Sequence, residues 1–256
     1  MKVLAVGDLV GLAGVKELKK ILPGLIETEQ IDFTIVNAEN SADGFGITQK
    51  IFDDILSEDV DVITMGNHTW GKKDIFKFID DSRIIRPANY PKGVVGKGYN
   101  IYECKGKKIA VINLIGRVEM NILTENPYLI AKDIVNKIKN EVDMIFIDFH
   151  AEATGEKIPF GYYLDGQVTA IFGTHTHVQT ADEKILPKGT AYITDIGMTG
   201  PKNSALGMDI NVAIKRMTTS LPEKYKVAEG ECMFNGVIFI IDEETLKVTK
   251  INRIYL

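Results

Sequence analysis

Very little in this sequence can be oxidised into a framework, inserted into a bilayer or laid along a polyanion. It has two cysteines, Cys104 and Cys232, with no C-x-x-C spacing, which excludes a disulfide scaffold or a cysteine metal knuckle. No apolar run approaches the roughly 18–20 residues that span a bilayer. The opening run ends at Gly7-Asp8, too early for a secretory signal. These absences predict a cytoplasmic protein with no membrane partner. Basic character is scarce: 30 Lys and Arg stand against 35 Asp and Glu, a net charge of −5, and the densest basic stretch is Lys105–Lys108. A grip on DNA or structured RNA normally needs a basic stripe. A small phosphorylated substrate does not, because bound metal ions can supply positive charge locally. No linker or repeat divides the chain, so residues 1–256 are read as one domain.

The apolar pattern alternates strand-like and helix-like segments. Strands are predicted at Lys2–Val6, Phe33–Val36, Val62–Met65, Ile109–Leu114, Met144–Phe149, Thr169–Phe172 and Ala191–Thr194. Helical spacing falls at Val15–Leu22, Thr48–Leu56 (with Thr48 as cap), Asp74–Ile79, Pro127–Asn140 and Met208–Met217. Gly236–Ile241 and Val248–Ile254 read as a hairpin across Asp242-Glu243-Glu244. The alternation predicts an α/β domain with parallel strands covered by helices. The closing hairpin implies a mixed sheet or two packed sheets. Glu152–Gly166 and Gly197–Gly207 read as long polar loops able to rim a site.

Histidine is scarce too, and its four copies fall where strands end. Asp8 follows the first strand, Glu39 and Asn40 the second, and Asn67 and His68 the third. His150 follows Met144–Phe149, and His175 and His177 follow Thr169–Phe172. Open α/β sheets bind ligands beyond the carboxyl ends of their strands, so this pattern gathers all eight residues on one edge. Carboxylate, amide oxygen and imidazole suit Mn, Fe or Zn. So many donors exceed one tetrahedral site and match two ions sharing a carboxylate, spaced about 3.5–4 Å apart. Taken singly, most have a plainer reading: Asp8 as a turn or cap, Glu39-Asn40 as loop polars, Asn67-His68 as a turn, His150 as structural, whereas His175-Thr176-His177 presents two imidazoles at alternate positions and points to metal by itself. A rival reading takes Gly7, Gly11 and Gly14 as a phosphate cradle. Their spacing is not G-x-G-x-x-G, no G-K-[ST] follows, and Asp8 would repel a phosphate.

Gly66-Asn67-His68 and Gly173-Thr174-His175-Thr176-His177 resemble the GNH and GHxH blocks of the calcineurin-like metallophosphoesterase superfamily. The resemblance is closer to its YmdB-like branch, through Val6-Gly7-Asp8, Asn37-Ala38-Glu39-Asn40, Gly44 to Thr48, Thr69-Trp70, His150 to Thr154, Gly173 to Asp182, and Thr194 to Pro201. It covers essentially the whole chain. It implies a four-layer α/β/β/α sandwich of two mixed sheets. It also implies two divalent or trivalent ions, most often iron or manganese, and phosphodiesterase activity on 2′,3′-cyclic nucleotides. By matching position, Asp8, Glu39, Asn40 and His177 would hold one ion. Glu39, Asn67, His150 and His175 would hold the other, and His68 would be the proton donor. A homo-oligomer is expected on the same ground. Val10 replaces the superfamily's usual histidine and Glu39 its bridging aspartate, as in this branch. Gly71 stands where the family tends to be acidic, which leaves open what orients His68.

The expected reaction is attack on phosphorus by a hydroxide bridging the two ions, with His68 protonating the leaving oxygen. The same centre could serve a phosphomonoesterase or phosphoprotein phosphatase. A third reading is a metal-dependent nucleotide-binding regulator with incidental turnover.

Overall fold

The computed structural model describes residues 1–256. Its first sheet has the spatial order Val248–Tyr255, Asn235–Ile241, Lys2–Val6, Phe33–Asn37, Val62–Thr64, Ile84–Ile85. The last four run parallel, and the C-terminal hairpin pairs antiparallel against Lys2–Val6. The second sheet is ordered Lys184–Ile185, Ala191–Ile193, Ala170–Thr174, Met144–His150, Lys107–Ile115, Tyr99–Cys104. Its four inner strands are parallel and its two edges antiparallel.

Side-chain alternation sorts these strands into layers. Val3 and Ala5 of the first strand share a core with Phe33, Val62, Val111, Phe146 and Phe172, between the sheets. Leu4 and Val6 face the other way, onto Leu18, Leu22, Ile51 and Ile55 of the helices Gly11–Glu29 and Gln49–Leu56. On the far side, Ala110, Ile112 and Ile147 meet Ala131, Val135 and Phe160 from the helices Pro127–Ile138 and Thr154–Tyr163. The result is the expected α/β/β/α sandwich of two mixed sheets. No helix is long and apolar enough to cross a membrane.

Local signals explain several boundaries. Thr48 Oγ1 accepts from Ile51 N–H at 3.4 Å, and Asn126 caps the helix that Pro127 begins. The edge strand Tyr99–Cys104 was not anticipated, the first helix extends beyond Val15–Leu22 to Gly11–Glu29, and three assigned segments differ in type. Glu152–Gly166 is mostly the helix Thr154–Tyr163, masked by Pro159 inside it. Gly197–Gly207 contains the buried strand Met198–Pro201, which lies between Asp8–Leu9 and Cys232–Met233 in a third small sheet. Asp74–Ile79 is only a short 3₁₀ turn at Lys73–Lys77.

The small sheet also settles the N-terminal glycines. A Cβ on Gly7 would strike the Gly197 carbonyl, and one on Gly14 the Thr199 carbonyl. They permit close backbone packing. Asp8 N–H donates to Gly197 O at 3.1 Å, so this packing pins the carboxylate beyond the first strand.

Candidate metal centre

The structure brings Asp8, Glu39, Asn40, Asn67, His68, His150, His175 and His177 to the carboxyl ends of the parallel strands of both sheets. Three acceptors crowd one nitrogen there. His150 Nε2 lies 2.8 Å from Asn67 Oδ1, 3.0 Å from Glu39 Oε1 and 3.1 Å from His175 Nδ1. A single proton can serve only one of these atoms well, whereas a cation suits all four. Glu39, His150 and His175 can converge on one ion. Gly66 keeps the space open, since a Cβ there would collide with Glu39 Oε2 and the His150 ring.

Each imidazole is set from behind. His150 Nδ1 meets Thr174 Oγ1 at 2.9 Å, and that hydroxyl donates to Asp148 Oδ1 at 2.6 Å. His175 Nε2 lies 3.1 Å from Glu152 Oε2. His177 Nδ1 donates to the Leu206 carbonyl at 2.9 Å. These partners turn His150 Nε2, His175 Nδ1 and His177 Nε2 inward.

Beside this group lies a second set of donors. Asp8 Oδ1 is buried with no hydrogen-bond partner, 3.9 Å from His177 Nε2. Asp8 Oδ2 accepts the His175 N–H at 3.2 Å. The Asn40 amide nitrogen stands 3.1 Å from His177 Nε2 and 3.2 Å from Glu39 Oε1. A half-turn of that amide would present its oxygen instead. Glu39, with one oxygen towards His150 and Asn40 and the other accepting His68 N–H at 2.7 Å, sits between the two sets.

Electrostatics reflect this crowding of like groups. Burial pushes the Asp8 carboxyl up to about 6. Burial also works against the Glu39 carboxylate, but the His150 imidazole wins and holds it down at about 2. The same carboxylate, against burial, raises His150 to about 9. Burial and the neighbouring His150 bring His175 down to about 3.

His68 lies at the rim. Asn67 Nδ2 is 3.2 Å from its Nε2, and the Phe45 ring packs against it with centroids 4.5 Å apart. Burial lowers its pKa. Gly71 bears on this directly, because a Cβ there would come within 2.6 Å of the Phe45 ring. The missing acidic side chain leaves room for an aromatic one.

Sequence reasoning missed the supports. Asp148 was legible as a carboxylate inside an apolar strand, and it accepts from Thr64, Thr174 and Asn37. Lys157 was hidden by the loop reading of Glu152–Gly166, and Asp195 stood in the Thr194 to Pro201 block with no role assigned to it. Asp195 Oδ2 accepts the Thr176 N–H at 3.1 Å. It thereby holds a loop whose His175 and His177 take the unfavourable φ values of 97° and 64°.

A family model described as YmdB-like protein matches residues 4–254. The chain is 50% identical over 257 aligned residues to the 2′,3′-cyclic-nucleotide 2′-phosphodiesterase of Bacillus subtilis (strain 168), covering 100% of this chain and 97% of that protein. The crystal structure of a novel phosphatase from Mycoplasma pneumoniae superposes with a TM-score of 0.94 at 38% identity, covering 100% of this chain and 93% of that one. A hypothetical protein from Thermus thermophilus matches with a TM-score of 0.94 at 32% identity, over 100% and 99% of the two chains.

Proposed function

The chain belongs to the YmdB-like family, and from that premise we propose that it is a metal-dependent phosphodiesterase acting on small phosphodiesters, 2′,3′-cyclic nucleotides in particular. The observation that carries this reading is the meeting of Asn67 Oδ1, Glu39 Oε1 and His175 Nδ1 around His150 Nε2. The orphaned Asp8 Oδ1 beside His177 supports a second cation position. Residues 1–256 act as one domain.

The donors fit two ions of the iron or manganese class, with zinc chemically compatible. Asp8, Glu39, Asn40 and His177 would hold one, and Glu39, Asn67, His150 and His175 the other, with Glu39 shared. When bound, such ions supply positive charge to the phosphoryl oxygens and lower the pKa of water enough to make a nucleophile near neutral pH. The protein's own work is placement. Thr174, Glu152 and the Leu206 carbonyl fix which imidazole nitrogen faces inward. His68, held by Asn67 and Phe45 at the rim, delivers a proton to the departing ribose oxygen. The net charge of −5 and the lack of a basic stripe favour a small substrate over DNA.

The test is hydrolysis of 2′,3′-cyclic AMP by manganese-loaded and iron-loaded protein, against EDTA-treated protein and a phosphomonoester. Metal-dependent turnover of the cyclic diester in preference to the monoester is expected. Preference for the monoester would replace the reading with a phosphomonoesterase. Two bound metals with no turnover of either would replace it with a nucleotide-binding regulator.

A further inference from the structure

The cavity over the candidate metal centre has two unlike halves. Its volume is about 560 Å³, within the roughly 300–1,000 Å³ of small-ligand pockets. One half is the polar floor of Glu39, Asn40, His175 and His177. The other is walled by Phe45, Leu206, Met208, Met217 and Tyr225. Much of that wall is open to solvent: Phe45 is 49% exposed, Leu206 52% and Met217 84%. Phosphoryl chemistry has no use for this surface, and clustered exposed apolar side chains mark a binding site.

The wall meets the polar floor at three points. Phe45 packs on His68. Leu206 offers its carbonyl to His177. Tyr225 closes against Gly44, whose φ of 80° and lack of a Cβ admit the ring. A ligand filling both halves would carry its phosphodiester on the polar floor and an apolar body against the wall. Arg216, on the same cavity wall, adds a cation able to donate to ring acceptors.

We infer that this wall is a nucleobase subsite, in which the base of the substrate lies against Tyr225, Phe45 and Met217 while its cyclic phosphate sits on the polar floor. The subsite deepens the phosphodiesterase reading and rests on it. Aromatic faces accept any base by stacking, so the subsite selects nucleotides over base-free cyclic phosphates more strongly than one base over another.

The experiment compares kcat/KM on 2′,3′-cyclic AMP with that on glycerol 1,2-cyclic phosphate, which has the same reacting ring and no base. The manganese-loaded wild type, Tyr225→Ala and Met217→Ala are measured together. The wild type should prefer the nucleotide by at least about tenfold, and each variant should cut that preference by about fivefold or more. The ratio cancels general damage to the centre, and Met217 is too exposed for its loss to threaten folding. A ratio unchanged in both variants overturns the subsite while leaving the phosphodiesterase reading intact. If the wild type hydrolyses neither substrate, that reading has failed. Adenosine binding to the metal-free protein, followed by saturation-transfer NMR, then decides. Magnetisation transfer to the base protons that disappears in Tyr225→Ala sustains the subsite, and no transfer in the wild type refutes it.

Discussion

The ammonium of Lys157 lies 2.7 Å from Asp195 Oδ2, with both side chains buried. It also donates to the Thr174 carbonyl at 2.8 Å. The pair ties the helix Thr154–Tyr163 to the loop carrying His175 and His177. Breaking a buried pair by removing one partner leaves an uncompensated charge. Lys157→Met should therefore cost about 3–5 kcal/mol, lowering Tm by roughly 6–20 °C. It should also reduce metal content at the His175 and His177 positions. Thermal melts and metal analysis read both, and an unaltered Tm would show that the pair does not brace the loop.

His68 and Glu39 should separate chemistry from metal holding. His68→Ala is expected to retain metal and lose about 10²–10⁴-fold in kcat, the usual worth of a general acid. Glu39→Ala removes the group between the two donor sets and should empty or scramble the centre. Elemental analysis beside steady-state rates distinguishes them. Metal loss in the His68 variant would make it a ligand, and full loading of the Glu39 variant would end the bridging assignment.

Metal uptake should strengthen as pH rises. In the metal-free protein, His150 is raised to about 9 and Asp8 to about 6, so both keep protons above their ordinary ranges. A cation must displace those protons. Affinity for Mn²⁺ should climb from pH 5 through 6 as Asp8 ionises, and continue towards 9 as His150 deprotonates. Near pH 7.5, binding should release a proton. Calorimetry in buffers of different ionisation enthalpy measures the release, and a flat affinity across this window would contradict the account.

Gly66 supplies a steric test. A methyl group there meets Glu39 and His150 at the heart of the cluster. Gly66→Ala should abolish high-affinity metal binding and cost about 1–3 kcal/mol in stability through overpacking. Retention of both ions in that variant would show the cluster to be far looser than its distances imply.

Much of this protein could be read from residue order alone. Strand ends are punctuated by polar residues, so Asp8, Glu39, Asn40, Asn67, His68, His150, His175 and His177 stood out by position and type. The continuous apolar run after Lys2, followed by alternating helix-like and strand-like segments, anticipated a sheet covered on both faces. What escaped was structure whose local signals are contradicted. Pro159 hides a helix, and Gly197 and Gly200 disguise a buried strand. Lys157 and Asp195 look like surface charges until their surroundings close over them.

By itself the sequence determined the element types and the inventory of donors at one sheet edge, because periodicity and residue chemistry are local properties. Tertiary structure decided which nitrogen of each histidine faces inward, how Gly71 makes room for Phe45 beside His68, and where an apolar wall meets a polar floor. Those depend on residues far apart in the chain, such as Gly44 with Tyr225 and Leu206 with His177. Their distances exist only once two sheets and their covering helices have packed together.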